Sequence, residues 1–459
     1  MIERDGQILR ALSPTGFEDW DALARSELFA RATADGRLVA TEVADEPAPS
    51  VAAPAAGEVA AVLRHERIPF VSYPYEWTFG MLRDAALLQL DLMEAALEEG
   101  LILKDATPYN VQWKGAQPTF IDVGSFERLR QGEPWAGYRQ FCMQFLFPLM
   151  LTSFKGLPHQ PYLRGCLAGI TPVEMRGLMS FRDRFRRGTL SHVFLHARVD
   201  TRALKAAPGT DVKRELREAG FKAEFIKANV RRLERVVRRL EWDPGVSSWS
   251  EYGTTTSYDE EGAAAKARFV DDAVSSGRWT TVWDLGCNDG RFSRAAARHA
   301  DHVVAVDSDA AVVERLYRSL RAEGSRSILP LTMSLADPSP PEGWRAAERR
   351  AMEARGRPNL TLCLALIHHV CITDNIPVGD FVAWLAELGG AIVIEFVDRE
   401  DPMAAALLRR KAPGSNPDYR RDAFERHLAE RFDVVRKLDI PAGERTLYFG
   451  HPRDAITAR

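Results

Sequence analysis

The sequence predicts an α/β protein whose C-terminal part is a doubly wound sheet, preceded by an α+β, mostly helical N-terminal part. Two observations carry this prediction. Apolar runs typical of strands alternate with helical patterns from residue 280 onward, which indicates βαβ units and a parallel sheet. The chain between about residues 125 and 240 has helical apolar spacing instead, and this pattern ends near Gly245. We therefore predict two domains, residues 1–245 and 246–459.

The composition is that of a folded protein with more than one domain. Of 459 residues, 46% are hydrophobic and 27% are charged, a profile that excludes a disordered chain. Lys and Arg (61) nearly cancel Asp and Glu (64), so the net charge of −3 supplies no overall attraction to nucleic acid or anionic lipid. We therefore predict no nucleic-acid partner, and other partners must be argued from local charge. Five scattered cysteines, never in a Cys-x-x-Cys pair, predict neither disulfides nor a zinc knuckle and favour a reducing, cytoplasmic location.

We expect neither an export signal nor a membrane span. The residues after Met1 include acids where a signal peptide carries a basic region followed by an apolar stretch. The most apolar run, residues 141–154, is shorter than the roughly 20 residues that cross a bilayer. We interpret this run as a buried core segment.

The N-terminal elements follow in order. Residues 42–60 are rich in Ala, Pro and acids, which predicts a surface loop. Apolar residues recur at helical spacing from about residue 78 to 99, and Gly100 closes this predicted helix. Two short apolar runs, residues 101–103 and 118–123, predict a small strand layer after it.

A basic segment lies near the end of the first predicted domain. Between Arg182 and Arg239 we count 17 Lys and Arg against 7 Asp and Glu, so this segment can attract an acidic partner. The alternative is a helix with solvated arginines and one apolar stripe. That stripe would contain Leu233, Val236, Val237 and Leu240.

The C-terminal elements alternate as a doubly wound sheet requires. Strands are predicted at residues 281–284, 303–307, 328–331, 360–366 and 391–397. Helices are predicted at residues 291–300, 310–322 and 421–431. Residues 432–435 and 446–449 suit a terminal antiparallel hairpin.

The segment from Val282 to Ser293, VWDLGCNDGRFS, joins the first strand to the first helix of this sheet. Ligands bind at this position in doubly wound sheets, because strand ends and helix starts converge there. Gly286 allows close approach of a ligand to the main chain, and Gly290 permits a tight entry into the helix. Asp307 lies 21 residues after Gly286 at the end of the second strand, from which a carboxylate can bind both ribose hydroxyls.

The spacing of the loop identifies the kind of nucleoside. A dinucleotide site requires Gly-x-Gly-x-x-Gly, whereas this chain has Asp284-x-Gly286-x-x-x-Gly290 with a further acid, Asp289. Two carboxylates would repel a pyrophosphate but attract the amino group and sulfonium of S-adenosylmethionine. The alternative interpretation is that Asn288-Asp-Gly is only a turn and that Asp307 caps a helix.

With these features, residues 250–450 resemble class I S-adenosylmethionine-dependent methyltransferases. The resemblance implies a Rossmann-like sheet with S-adenosylmethionine as cofactor, in which Asp284 holds the methionine moiety, Gly286 lines the cofactor and Asp307 binds the ribose. Ser334 replaces an acid that contacts the adenine in many relatives, so either Ser334 or Asp337 would take that contact. The candidate cofactor-binding residues are Asp284, Gly286, Cys287, Asn288, Asp289, Gly290, Asp307, Ser308, Ser334 and Leu335.

The fourth strand ends in Ile367-His368-His369, at the edge that faces the transferred methyl group in this fold. An imidazole there can take a proton from an acceptor hydroxyl or amine. Since neighbours on extended chain point apart, we expect one of the two histidines in the pocket. Glu395 is a second candidate, as substrate binder or base. The alternatives are that both histidines are structural residues of the core, and that alignment of nucleophile, methyl group and sulfur accounts for the rate. We expect no metal ion at this site.

Residues 101–124 contain a second pattern, Asp105, Asn110 and then Asp122-Val-Gly124. It resembles the catalytic and metal-binding loops of protein kinases and aminoglycoside phosphotransferases, which implies Asp105 as base and Asn110 with Asp122 on magnesium. Lys104 is the first lysine in the chain and no glycine-rich loop precedes it, so the usual phosphate clamp is missing. An arginine such as Arg37 or Arg64 would be a poor substitute, because planar and compact cations are not interchangeable at such sites. The alternatives are a vestigial site that binds nucleotide or substrate, and a capped turn.

Over the whole chain, the segments SYPYEW (72–77), LKDATPYNVQ (103–112), FIDVGSFE (120–127), LALIHH (364–369) and IEF (394–396) are similar to a bacterial two-part family that includes nodulation-associated proteins. The resemblance implies a methyltransferase acting on an oxygen or nitrogen of a glycan or small metabolite, with acceptor recognition in the first domain. The alternatives are an ATP-dependent phosphotransferase and a non-catalytic regulatory protein that binds S-adenosylmethionine. The sequence does not predict the oligomeric state.

Overall fold

The computed structural model describes residues 2–44, 58–130, 132–205, 223–245, 259–440 and 444–453. The chain forms two compact units. The N-terminal unit comprises Met1–Ile68, Ser72–Trp113 and Pro118–Asp243, and the C-terminal unit comprises Pro69–Val71, Lys114–Gln117 and Pro244–Arg459. Most of the loop predicted at residues 42–60 lies outside the described residues.

The N-terminal unit begins with a four-stranded antiparallel sheet that the sequence pattern does not predict. Its strands are β1 (Ile2–Arg4), β2 (Gln7–Leu12), β3 (Thr41–Val43) and β4 (Ala61–His65), in the order β1-β2-β4-β3. Helices α1 (Pro14–Ala24) and α2 (Glu27–Ala34) connect β2 to β3. Ser13 and Ser26 accept hydrogen bonds from main-chain N–H groups in the first turns of these helices and thereby define where each begins.

The predicted long helix is confirmed as α3 (Phe79–Glu98). Thr78 caps its start, and Gly100 follows its end with a φ of +73°, a conformation that glycine adopts without steric cost. Two short pairs of strands come next: β5 (Leu101–Leu103) with β8 (Phe126–Arg128), and β6 (Val111–Lys114) with β7 (Gln117–Phe120). They are the strand layer that the two apolar runs predict.

The rest of the N-terminal unit is helical, as the sequence predicts. The helices are α4 (Tyr138–Phe141), α5 (Phe147–Lys155), α6 (Gln160–Gly165), α7 (Pro172–Leu178), α8 (His196–Lys205) and α9 (Ala223–Val237). Most of the apolar run 141–154 is buried. The predicted apolar stripe of the basic segment is also buried, at Leu233, Val236, Val237 and Leu240.

The C-terminal unit is built on a seven-stranded sheet in the order β11-β10-β9-β12-β13-β15-β14. Its strands are β9 (Trp279–Leu285), β10 (Ala300–Asp307), β11 (Ile328–Thr332), β12 (Leu360–Cys363), β13 (Ala391–Val397), β14 (Phe432–Asp439) and β15 (Arg445–Pro452). The first five are parallel, while β14 and β15 form an antiparallel hairpin that pairs with β13. The predicted doubly wound sheet with a terminal hairpin is therefore confirmed.

The strand order reverses at β9, because the chain first adds strands on one side of it and then continues with β12 on the other. Ligands bind at such a reversal in doubly wound sheets. The helices of this unit are α10 (Glu260–Ser275), α11 (Arg291–Ala297), α12 (Ala310–Ala322), α13 (Val378–Glu387), α14 (Pro402–Leu408) and α15 (Arg421–Arg431). All seven residues of β13 are buried, as is typical of a strand covered on both faces.

The fourth strand is shorter than its apolar run predicts. It ends at Cys363 rather than at residue 366, because Ala365 has a φ of +52° and a helical turn begins at Ile367. Both histidines therefore lie on a helical turn and not on extended chain. Over the described ranges, no helix combines the length and the apolarity that a bilayer span requires.

Candidate cofactor and catalytic site

The loop between β9 and α11 turns sharply at three positions. Gly286 and Gly290 both have a φ of +76°, and Asn288 has a φ of +46°. A Cβ at Gly290 would lie 2.5 Å from Cδ1 of Leu316, so a larger residue there would displace the α12 side chain. Both glycines are thus required by the turn, and Gly290 is also required by close packing.

Asp284 lies in β9 directly before this loop and is 2% exposed. The hydroxyl of Ser293, in the first turn of α11, donates a hydrogen bond of 2.5 Å to Oδ2 of Asp284. Burial raises the pKa of Asp284 to about 6, although the bond from Ser293 acts in the opposite direction. Among the described residues, no cation forms an ion pair with this carboxylate.

Asp307 connects the loop to the end of β10. Its Oδ2 accepts a hydrogen bond of 3.0 Å from the main-chain N–H of Asn288, and its Oδ1 accepts one of 2.9 Å from Asp309. Burial raises its pKa, while these hydrogen bonds lower it. Asp309, not Asp307, caps α12 by accepting bonds from Ala311 and from the residue after it. The alternative interpretation, in which Asp307 caps α12, is therefore not what the structure shows, because Asp309 is the capping residue.

Three further candidate cofactor residues lie in this loop or next to Asp307. Cys287 is buried, and burial raises the pKa of its thiol. Asp289 is exposed and accepts a hydrogen bond from the main-chain N–H of Arg291, and Ser308 is exposed beside Asp307. The loop Asp284–Gly290 and Asp307 are thus held together by direct hydrogen bonds and by pairing of β9 with β10.

Ser334 and Leu335 lie in a turn that follows β11. The N–H of Met333 donates to the main-chain oxygen of Asp307, which holds this turn against the end of β10. The hydroxyl of Ser334 accepts a bond of 3.2 Å from Ala336, and its main-chain oxygen accepts one from Asp337. Ser334 and Leu335 are half-buried, and Asp337 is exposed.

His368 and His369 lie side by side, with ring centroids 3.9 Å apart. His368 is completely buried, and neither of its ring nitrogens has a hydrogen-bond partner among the described residues. His369 is half-buried. Burial lowers the pKa of His369 to about 4 and that of His368 well below its ordinary value, so both rings are neutral at pH 7. A neutral imidazole can accept a proton, and only His369 is partly exposed.

Glu395 is held in a buried network of four charges. Nζ of Lys266 lies 2.7 Å from one of its carboxylate oxygens, and Nη1 of Arg445 lies 3.4 Å from the other. Nε of Arg445 also lies 2.7 Å from Oδ2 of Asp401. All four side chains are at most 9% exposed. Because both its oxygens face cations, Glu395 is placed as an ion-pair partner rather than as a free base.

Sequence reasoning missed Lys266, Arg445 and Asp401. Helical spacing could have predicted that Lys266 is buried, because it lies on the same face of α10 as the buried residues Phe269 and Val270. No local motif marks Arg445 or Asp401, since their partners are distant in the chain.

The N-terminal unit contains a second cluster around the Asp-x-Gly sequence. Oδ2 of Asp122 accepts a hydrogen bond of 2.5 Å from Ser125, whose hydroxyl accepts one of 3.1 Å from Nδ2 of Asn110. The structure therefore brings Asn110 and Asp122 together through Ser125. The main-chain oxygen of Asp105 accepts a bond from Gln89.

The strand cation of this cluster is Arg10 of β2, whose Nη1 lies 2.5 Å from Oδ1 of Asp122. The two arginines suggested by the sequence for that position form ion pairs elsewhere. Arg37 pairs with Asp35 and Asp91, and Arg64 pairs with Glu42. Arg10 was not recognised from the sequence because the sequence pattern does not predict the hairpin of β1 and β2. Over the described part of the chain, no group of three or more His, Cys, Asp or Glu residues is arranged to hold a metal ion.

Partial matches among solved structures include two methyltransferases. No family model matches this chain. The N-methyltransferase NodS from Bradyrhizobium japonicum WM9, solved with S-adenosyl-L-homocysteine, is 13% identical and has a TM-score of 0.31. That match covers 43% of this chain and 90% of NodS. The magnesium protoporphyrin IX methyltransferase ChlM from Synechocystis PCC 6803, solved with bound S-adenosylhomocysteine, is 14% identical. It has a TM-score of 0.31 over 45% of this chain and 93% of ChlM.

A curated relative covers nearly the whole chain. The nodulation protein NoeA of Rhizobium meliloti (strain 1021) is 34% identical over 420 residues, which are 90% of this chain and 86% of NoeA. The match includes both units, and it confirms the expected relation to nodulation-associated proteins. The chain belongs to the family of the nodulation protein NoeA.

Proposed function

We propose that this protein is an S-adenosylmethionine-dependent methyltransferase whose cofactor site is the loop Asp284–Gly290 together with Asp307. One observation carries the proposal. The carboxylate of Asp307 binds this glycine-containing loop at the reversal point of the sheet, beside the buried carboxylate of Asp284. The acceptor atom is an oxygen or a nitrogen of a small molecule or glycan, and the N-terminal unit contributes to acceptor recognition.

The residues present fit this cofactor. Asp284 and Asp307 are carboxylates whose pKa values burial raises, and among the described residues neither forms an ion pair. A ligand with an amino group and a sulfonium would offset the cost of their burial, and ribose hydroxyls can donate to Asp307. Bound S-adenosylmethionine would supply an electrophilic methyl group on sulfur.

The chain's own residues would position the acceptor and accept its proton. His369 is neutral at pH 7 and half-buried, so it can take a proton from an acceptor hydroxyl or amine. His368 supports the ring of His369 at 3.9 Å between centroids. Glu395 is paired with Lys266 and Arg445, so we assign it a positioning role rather than that of the base.

Phosphotransfer through the N-terminal unit is the alternative that the geometry does not favour. The carboxylate of Asp122, which would hold magnesium, is bound by Arg10 and by Ser125. A guanidinium at that position competes directly with a divalent cation for the same oxygens. We therefore assign Asp105, Asn110 and Asp122 a vestigial role.

The proposal is tested by calorimetric titration of the full chain with S-adenosylhomocysteine. Asp284→Ala should weaken binding by at least about tenfold, or 1.4 kcal/mol, because it removes a buried carboxylate beside the ligand's cations. Asp433→Ala is the control, since Asp433 is exposed and pairs with exposed Arg453 in the terminal hairpin. Absence of binding to the unaltered protein would contradict the proposal.

Catalysis is separated from regulation by a second measurement. The protein is incubated with methyl-labelled S-adenosylmethionine and bacterial extract, and labelled products are separated. Transfer that is lost in His369→Ala, while that variant still binds S-adenosylhomocysteine, supports an enzyme. Cofactor binding without transfer to any fraction would favour the regulatory role.

A further inference from the structure

An exposed aromatic pair lies in the N-terminal unit, on the turn between α7 and the helical segment that starts at Leu190. Phe181 and Phe185 are 71% and 78% exposed, and their rings meet edge to face with centroids 5.6 Å apart. Single exposed apolar residues are ordinary, but two contacting phenylalanines form a continuous apolar surface. Such high exposure means that the rings project outward rather than line a groove. Leu190, 50% exposed, follows on the same segment.

Arginines surround these rings. Arg182, Arg184, Arg186 and Arg187 are all exposed, within a sequence of seven residues that contains both phenylalanines. The guanidinium of Arg184 lies 5.8 Å from the ring centroid of Phe181 and 5.1 Å from that of Phe194. The projecting apolar pair is thus flanked by cations.

The acid of this turn, Asp183, faces inward and holds the turn in place. It is 4% exposed and pairs with Lys155 and Arg186, and it accepts hydrogen bonds from both the N–H and the hydroxyl of Ser180. Although burial acts in the opposite direction, these bonds hold the pKa of Asp183 below its ordinary value. The turn therefore presents its phenylalanines and arginines outward on a fixed base.

We propose that residues 181–190 form a membrane-contact turn that binds the surface of an anionic lipid bilayer. The two phenylalanines would enter the interfacial region, where apolar rings leave water, while the arginines remain at the level of the lipid phosphates. A planar, negatively charged and deformable surface accommodates projecting rings flanked by cations. The proposal concerns attachment to one face of a bilayer and is independent of the proposed methyl transfer.

The test is co-sedimentation of the full chain with vesicles of phosphatidylcholine alone and of phosphatidylcholine with phosphatidylglycerol. We expect binding to the anionic vesicles only, weakening as salt is raised. Phe181→Ser with Phe185→Ser, and separately Arg182→Gln with Arg187→Gln, should each weaken binding by at least about tenfold. All of these side chains are exposed, so the variants are expected to fold.

The matched controls are Trp344→Ser, an aromatic that is 77% exposed in the C-terminal unit, and Arg238→Gln, an exposed arginine of the N-terminal unit. Both should bind vesicles as the unaltered protein does. The proposal is overturned by any of three results: no binding to anionic vesicles at low salt, equal binding to neutral vesicles, or unchanged binding of both double variants. Preferential capture by single-stranded RNA over vesicles in competition would likewise reject a lipid partner.

Discussion

Nη1 of Arg10 lies 2.5 Å from Oδ1 of Asp122, so a cation of β2 binds the carboxylate of the Asp-x-Gly sequence. Both side chains are 20% exposed, which makes this pair less screened than a surface ion pair. A Cβ on Gly124 would collide with the guanidinium of Arg10, so glycine at that position also serves the ion pair.

We predict a measurable coupling energy between Arg10 and Asp122. A double-mutant cycle of Arg10→Gln and Asp122→Asn, followed by urea unfolding, should give about 1–2 kcal/mol, because partial burial limits screening. The control cycle uses Arg238 and Glu234, an exposed pair one helical turn apart, for which about 0.3–0.5 kcal/mol is expected. Equal coupling energies in the two cycles would show that the pair of Arg10 and Asp122 stabilises this unit no more than an exposed surface pair does.

Asp284→Asn should stabilise the ligand-free protein while weakening its cofactor binding. The folded-state pKa of Asp284 is raised to about 6 from an ordinary 3.8, so the native chain binds more protons than the unfolded chain between these values. The free energy of unfolding therefore falls as the pH rises from about 4 to about 6, and the whole loss is present at pH 7. Asparagine carries no charge and avoids this loss, and its side-chain oxygen can still accept the hydrogen bond from Ser293.

We expect the free energy of unfolding at pH 7 to rise by about 1–3 kcal/mol in this variant. Chemical unfolding at pH 5, 6 and 7 measures the effect, which should shrink toward the acid end of the series. Asp433→Asn, at an exposed site, should change stability little at any pH. A variant less stable than the parent at pH 7 would show that the carboxylate has a favourable partner.

Arg445→Met should be strongly destabilising. The substitution leaves the carboxylates of Glu395 and Asp401 buried without their shared cation, and breaking a buried pair on one side costs about 3–5 kcal/mol. Urea unfolding of the full chain, followed by tryptophan fluorescence, measures the loss. Arg453→Met is the matched control, because its pair with Asp433 is exposed and should be worth about 0–1 kcal/mol.

The two histidines should differ in their effects on methyl transfer. His369→Ala should lower kcat by about 100- to 10,000-fold with little change in S-adenosylhomocysteine affinity, because it removes the half-buried proton acceptor. His368→Phe should keep most of the activity and the fold, since the ring is buried and its nitrogens have no partner among the described residues. Rates that survive both substitutions would point to catalysis by alignment alone.

Local sequence patterns are sufficient to predict the C-terminal sheet and its loop. Alternating strand and helix patterns predict five parallel strands and the terminal hairpin, and the spacing from Asp284 to Gly290 and Asp307 predicts the bend that the structure contains. These features are readable because they depend on residues close together in the chain. A strand, a tight turn and a helix start are each encoded within a few residues.

The pairs between distant residues could not be predicted in this way. Lys266 and Glu395 are separated by 129 residues and Arg10 and Asp122 by more than a hundred, and no local pattern connects them. The helical turn that carries His368 and His369 also escapes the sequence, because a short apolar run has no period that separates strand from turn. Where two distant segments meet depends on the packing of whole elements, which local spacing does not encode.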